Sequence, residues 1–257
     1  LFDDSLTGTN SVNLTAALTP QGLTVSNSAV NYLFTGSGKI TGATGLTKNG
    51  NGTLTIANGG NNDFSGPIAL NAGTLVISNS SSIGNTVSGS GALVKNGSGI
   101  LVLSGDGSAY TGSVSVNGGT LSVLNGASLA TASGTTIASG ATLDIGNNNV
   151  ALGLEPITVS GSGVGGNGAI VNSSGYSGGA LATSFQTLTM TDNTTIGGPG
   201  RLDFRSSDPN GGSDATLSTG GHAYNLTKVS VGTLQLASVQ VDSSLANINV
   251  QQGILGI

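Results

Sequence analysis

Cysteine and tryptophan are absent from this chain, and histidine occurs once, at His222. The missing cysteine excludes disulfide staples and thiolate metal sites. One histidine, in the loop-like run Thr219-Gly220-Gly221-His222, leaves no partner for a zinc centre or a Ser-His-Asp relay, so no metal and no cofactor is expected. Charge is nearly as scarce: Asp, Glu, Lys and Arg make up 7% of residues, against about 25% in ordinary soluble domains. Six scattered basic residues in a chain of net charge −5 cannot neutralise a phosphate backbone, which excludes nucleic acid as a partner. No apolar run approaches the roughly 18 residues of a membrane-spanning helix, so no membrane insertion by this segment is expected. No stretch sustains the 3.6-residue apolar period of an amphipathic helix either.

Glycine, by contrast, numbers 45 in 257 residues, and hydrophobic residues make up 36%. That apolar share and the low net charge argue against simple disorder. Apolar residues alternate in short runs: Leu54/Ile56, Leu75/Ile77, Leu101/Leu103, Val114/Val116 and Leu121/Val123. Period two is the strand period, one face in and one face out. The same spacing continues at Leu143/Ile145, Ile157/Val159, Leu188/Met190, Leu202/Phe204, Val229/Val231, Leu234/Leu236 and Val239/Val241. Gly, Asn and Ser punctuate these strands. The Asn-Gly steps at Gly50, Gly59, Gly97, Gly118 and Gly126 read as corners, where a positive φ is cheap only for glycine.

The chain also repeats itself. Residues 46–77 and 93–123 align with a single one-residue gap: Lys48 matches Lys95, Gly50 matches Gly97, Gly52 matches Gly99, Leu54 matches Leu101, and Phe64 matches Tyr110. The best copies extend over 46–84 and 93–130. Self-similarity in strands and turns together, with aromatics at 4%, favours a narrow stacked coil over a sandwich with a broad core. The fold expected is all-β, a right-handed parallel β-helix (solenoid) over 1–257. With rungs of about 20–24 residues, one copy would be two rungs. The chain would then hold about 11–13 rungs and run for about 55 Å at ~4.8 Å per rung.

The run Lys48 to Gly66 with Gly73-Thr74-Leu75, and the run Lys95 to Gly112 with Gly119-Thr120-Leu121, resemble the autotransporter passenger-associated repeat. Tyr110-Thr111-Gly112 fits its aromatic-Thr-Gly element closely, and Phe64-Ser65-Gly66 fits loosely. The likeness covers residues 30–146 well and the remainder in style only. What it implies is export to the bacterial cell surface or the extracellular space, usually within a very long chain that serves as stalk or adhesin.

Few residues offer chemistry. Arg201, Asp203 and Arg205 alternate along one strand, with Asp208 nearby. They are the one candidate ligand-binding patch, to be weighed against a solvated face of surface ion pairs. Asp3-Asp4 is the only adjacent acid pair, and strand neighbours point to opposite faces, so no glycosidase pair is assigned. Gly161, Gly163 and Gly166 satisfy GxGxxG, but no helix pattern follows. Gly165 to Gly168 resembles a calcium-binding nonapeptide only superficially, because Ala169 stands where aspartate is needed. Tyr32, Tyr110, Tyr176 and Tyr224 are irregularly spaced for a sugar-stacking ladder.

The function expected is therefore a non-catalytic, structural extracellular rod. It is either a segment of a longer chain or a subunit that stacks end to end into a filament, since neither end shows a polar cap. The alternative is an adhesin that binds glycans or host matrix. A polysaccharide-degrading enzyme ranks below both.

Overall fold

In a computed structural model the chain is a parallel β-solenoid of about ten turns. The structure describes residues 1–83, 86–125, 129, 132–146, 150–152, 155–175, 184–206 and 214–257. Among them every strand pairing is parallel, and the only helical element is a single 3-10 turn at Val164–Gly166.

The strands stack into four long ladders and one two-stranded ladder, Ala17–Leu18 with Lys39–Ile40. Face I runs from Phe2–Asp3 through Gly22–Ser26, Gly45–Asn49 and Ile68–Leu70 to Ala109–Tyr110. Face II runs from Ser11–Asn13 to Val239–Val241, and face III from Ser81–Ile83 to Asn247–Val250. Face IV holds Arg201–Arg205, Thr233–Ala237 and Ile254–Gly256. A single column of residues on face II follows ten of its strands, Ser11, Leu33, Thr55, Val76, Val94, Ser115, Thr136, Thr158, Thr189 and Ser218, and Val239–Val241 adds the eleventh. Ten steps of ~4.8 Å give about 48 Å, somewhat shorter than the 55 Å expected. The eleven stacked strands fall at the low end of the 11–13 rungs expected because rungs lengthen: Thr158 to Thr189 takes 31 residues and Thr189 to Ser218 takes 29.

The alternating aliphatics point inward and stack on their like. Tyr32, Leu54, Leu75, Leu93, Val114, Thr135, Ile157, Leu188 and Leu217 form one inward column. Every member is buried, and Thr135 is its one polar residue. Side-chain amides stack in the same manner at the rim. The Asn71 amide donates to Asn49 Oδ1 at 2.8 Å, Asn117 to Asn96 at 3.0 Å, and Asn247 to Asn225 at 2.9 Å. Uncharged amides can repeat rung over rung where like charges would repel.

One expected alternation is not inward: Val231 is 62% exposed. Val239 and Val241 stand in register with the buried Ala215 and Leu217, on the last strand of face II. The strand ahead of Val229 points Leu226 and Lys228 inward, so Val229 and Val231 fall on the corner after it. A lysine in an inward slot hides the phase from a hydrophobicity reading.

A repeat copy is also not two rungs. On face II the first eight rungs of the column advance by 18 to 22 residues. The 47-residue spacing from Lys48 to Lys95 therefore overshoots two rungs by one strand. Lys48 lies on face I and Lys95 on face II, so successive copies begin on successive faces.

Candidate functional site

The charged cluster lies on face IV. Arg201 grips the Asp203 carboxylate with two nitrogens: Nε reaches Oδ1 and Oδ2 at 3.0 and 2.9 Å, and Nη2 reaches Oδ1 at 2.7 Å. Leu202 and Phe204 alternate with them and enter the core, where Phe204 meets Phe185 at 4.8 Å between ring centroids. Asp203 is itself buried at 4% exposure, and its backbone N–H donates to Ser184 Oγ at 3.1 Å. Arg205 ends the same strand half-buried. The arginine at 201 is thus already paired to a covered carboxylate. Asp208 and Tyr176 lie outside the described residues.

The remaining motifs take structural positions. His222 is exposed and stacks on Tyr224 at 5.4 Å. Gly161, Gly163 and Gly166 all take positive φ around the 3-10 turn, with no helix of the kind a dinucleotide site needs. Tyr32 and Tyr110 are buried, and their hydroxyls donate to backbone carbonyls: Tyr32 to Asp3, Tyr110 to Gly91 and Ser113. A buried ring offers no face to a sugar. Among the described residues no group of three His, Asp or Glu stands together.

Of the corner glycines, Gly50 and Gly97 have φ of 70° and 67°. Gly59 and Gly118 sit at bends without a positive φ, and the left-handed residue beside Gly118 is Gly119, at 66°. Gly126 lies outside the described residues.

Shallow grooves run along the lateral surface. One of about 550 Å³ is lined by Lys39, Asp63 and Asn61 with Ile100 and Val102. Lys39 and Asp63 form an exposed ion pair at 2.7 Å, of the kind worth less than about 1 kcal/mol. A second groove of about 270 Å³ shares Ile100 with the first. A third of about 290 Å³ shares Asn167 and Val171 with the second.

The polar chemistry the sequence reading missed is inside the coil. Lys48 and Lys95 are fully buried. Lys95 takes an inward slot between Ile77 and Val116, and Lys48 one between Val25 and Leu70. An ammonium has three donors and tolerates burial only when they are used. Lys48 Nζ donates to the carbonyls of Asn49 at 2.8 Å, Gly50 at 2.7 Å and Ala72 at 3.5 Å. Lys95 Nζ donates to Asn96 at 2.5 Å, Gly97 at 3.0 Å and Gly118 at 3.2 Å. Two carbonyls come from the lysine's own corner and the third from the next rung, so each lysine staples two rungs. Burial pulls both lysines below the usual value, opposed at Lys48 by the charge of Asp4. The signal was present in the sequence: Lys48 and Lys95 follow Leu46 and Leu93 at period two, in inward phase.

Glu155 is a further buried titratable group. It is 2% exposed, Thr135 Oγ1 donates to its Oε1, and its Oε2 has no hydrogen-bond partner. Burial pushes its carboxyl from 4.5 up to about 7, against the Thr135 hydrogen bond that lowers it. Between 4.5 and about 7 the folded chain holds a proton there that the unfolded chain has released. Folding stability therefore falls as pH rises through that window and levels off above it, by about 3 kcal/mol in total at ~1.4 kcal/mol per pKa unit. Glu155→Gln is expected to flatten this slope in urea denaturation run across the window. An unchanged slope in the variant would place the effect elsewhere.

The family model of the passenger-associated-transport-repeat matches residues 46–77 and 93–123. Comparison with curated proteins and with solved structures gives no match. The two matched segments are the two in which Lys48 and Lys95 staple their rungs. The chain is a parallel β-solenoid in which two segments match the passenger-associated-transport-repeat.

Proposed function

We propose that this chain is a non-catalytic rod segment of an exported passenger, displayed at the bacterial cell surface or released outside it. The observation that carries the reading is the repeat match on an uninterrupted solenoid core. Aliphatic columns and asparagine ladders give stiffness and resistance to proteolysis without a cofactor, which suits a spacer beyond the cell envelope. Two of the acids are tied up in structural bonds. Asp4 accepts from the backbone of Ser28, Ala29 and Val30, and Asp242 from Thr219 and Ser244. Antibody against the chain is expected to bind intact producing cells or to detect the chain in their medium. Binding only after the envelope is permeabilised would contradict export.

The open groove beside Lys39 and Asp63 supports a second, adhesive reading. Its polar wall and the apolar floor of Ile100 and Val102 offer hydrogen bonds and a flat contact to a sugar ring. Glycan-array binding that disappears in Lys39→Ala with Asp63→Ala would favour it. Loss on Arg201→Ala instead would point to the paired cluster on face IV. End-to-end self-association belongs to the same proposal, and electron microscopy of the purified protein reads it as filaments against short uniform particles.

A further inference from the structure

We infer that residues 226–256 form a third copy of the repeat unit, centred on Lys228 and beyond the two segments that the family model matches. The inference stands on geometry and does not depend on the exported-rod reading.

The sequences align without a gap at the start of the unit. Leu46-Thr47-Lys48 is matched by Leu226-Thr227-Lys228, and Gly52-Thr53-Leu54 by Gly232-Thr233-Leu234. The glycine stands four residues after the lysine in all three units, at Gly52, Gly99 and Gly232, and the inward leucine six after it, at Leu54, Leu101 and Leu234.

The third lysine is buried as the others are, between Ile196 and Val250 in its inward column. Lys228 Nζ donates to the carbonyls of Val229 at 2.5 Å, Ser230 at 2.7 Å and Gln252 at 3.3 Å. The acceptors are positionally the same in every unit: the two residues after the lysine, and the residue just before a glycine with positive φ in the next rung. Those glycines are Gly73, Gly119 and Gly253, at 70°, 66° and 85°. The seat two residues after the lysine is left-handed in all three. Gly50 and Gly97 fill it in the first two, and Ser230 fills it in the third at φ 70°.

What the third unit lacks is the aromatic corner. Where Phe64-Ser65-Gly66 and Tyr110-Thr111-Gly112 stand, the third unit has Ser244 and its neighbours. There the Asp242 carboxylate holds the corner, accepting from the backbone of Ser244 at 3.0 Å and of Thr219 at 3.0 Å. A residue-type comparison that weighs the aromatic and the glycine at the seat passes over this copy, while the lysine staple is retained. The three staples sit on faces I, II and III in turn. The repeat therefore marks a corner of the coil, and the rung-stapling unit extends to the last turns described.

Amine acetylation of the native protein, mapped by mass spectrometry, tests this. Lys39 is the internal reference, with its side chain 35% exposed. Lys228 is expected to react with Lys48 and Lys95, at least about 100-fold more slowly than Lys39, because each must wait for local opening. In Ser230→Gly, which restores the residue of the other two seats, Lys228 is expected to react roughly two- to fivefold more slowly still, the left-handed strain being relieved. Acetylation of Lys228 at the rate of Lys39 would overturn the assignment. So would an equal or faster reaction of Lys228 in the Ser230→Gly variant.

Discussion

Gly73→Ala is expected to cost more than about 4 kcal/mol and to unravel the rungs on either side of it, a loss in the range tied to backbone strain and buried overpacking. Gly73 holds φ of 70°, where an L-residue costs about 1–2 kcal/mol. The larger part is steric. A Cβ at this position would overlap the carbonyl oxygens of Gly50 and Gly52 and lie 2.8 Å from Lys48 Nζ. Neither oxygen can withdraw cheaply. Gly50 O accepts the Lys48 ammonium, and Gly52 O accepts the backbone N–H of Thr74 at 3.2 Å. In a solenoid each rung is held by its neighbours, so the damage should be local. Hydrogen exchange is expected to lose protection across Ile68–Leu70 and Thr74–Ile77 first. Gly8→Ala is the control, since nothing lies within 4 Å of a Cβ there. It should stay within about 0.5 kcal/mol of the parent, as surface substitutions do. Equal stability of the two variants would mean that the corner is not packed as described.

Leu121→Ala is expected to cost about 3–5 kcal/mol by urea denaturation, the range for a leucine lost from a core that cannot collapse onto the gap. Leu121 is fully buried, with Leu101 below it and Leu143 above it in register, both also fully buried. Those neighbours are fixed by ladder hydrogen bonds on both sides, so a cavity would persist. Val102 belongs to the strand stacked beneath it and is only partly covered. Val102→Ala should cost less than about 1 kcal/mol, since little apolar area is uncovered. A reversal of the two costs would mean that the strand presents its other face to the core.

Most of the solenoid was legible because its core obeys a period of two. Leu54, Ile56, Leu75, Ile77, Leu101, Leu103, Leu121 and Val123 are all buried, and each is a hydrophobe that a simple alternation picks out. The reading failed where an inward slot holds a polar residue. Lys228 broke the pattern and shifted the apparent strand onto Val229 and Val231, of which Val231 is largely exposed. Glu155 left no pattern at all, since its burial follows from Thr135 standing in an otherwise apolar column. The rung count fell at the low end of the expectation for a different reason: loop length between strands carries no periodic signal, and the two long rungs after Thr158 absorb residues that could have formed further turns. The charged strand was legible in its alternation, with Leu202 and Phe204 inside. The burial of Asp203 beneath Ser184 was not, because it depends on contacts remote in sequence.

The lysine staples bear on how such a coil can assemble. Each couples a corner to a carbonyl 23 or 24 residues further on, so an incoming rung gains a charge-assisted bond as it docks. Those bonds run about twice as strong as neutral ones. Three staples on three successive faces would fasten the rod from different sides.

Distances along one stacked column test the rod most directly. The chain has no cysteine, so spin labels can be placed in pairs by single substitutions. Thr55, Thr158, Thr189 and Ser218 occupy the same column, at the third, eighth, ninth and tenth positions counted above. Pulsed dipolar spectroscopy from position 55 should give about 24 Å to 158, about 29 Å to 189 and about 34 Å to 218, rising by ~4.8 Å per rung. Distances that fail to rise in that order, or that fold back on themselves, would contradict a parallel coil and the account built on it.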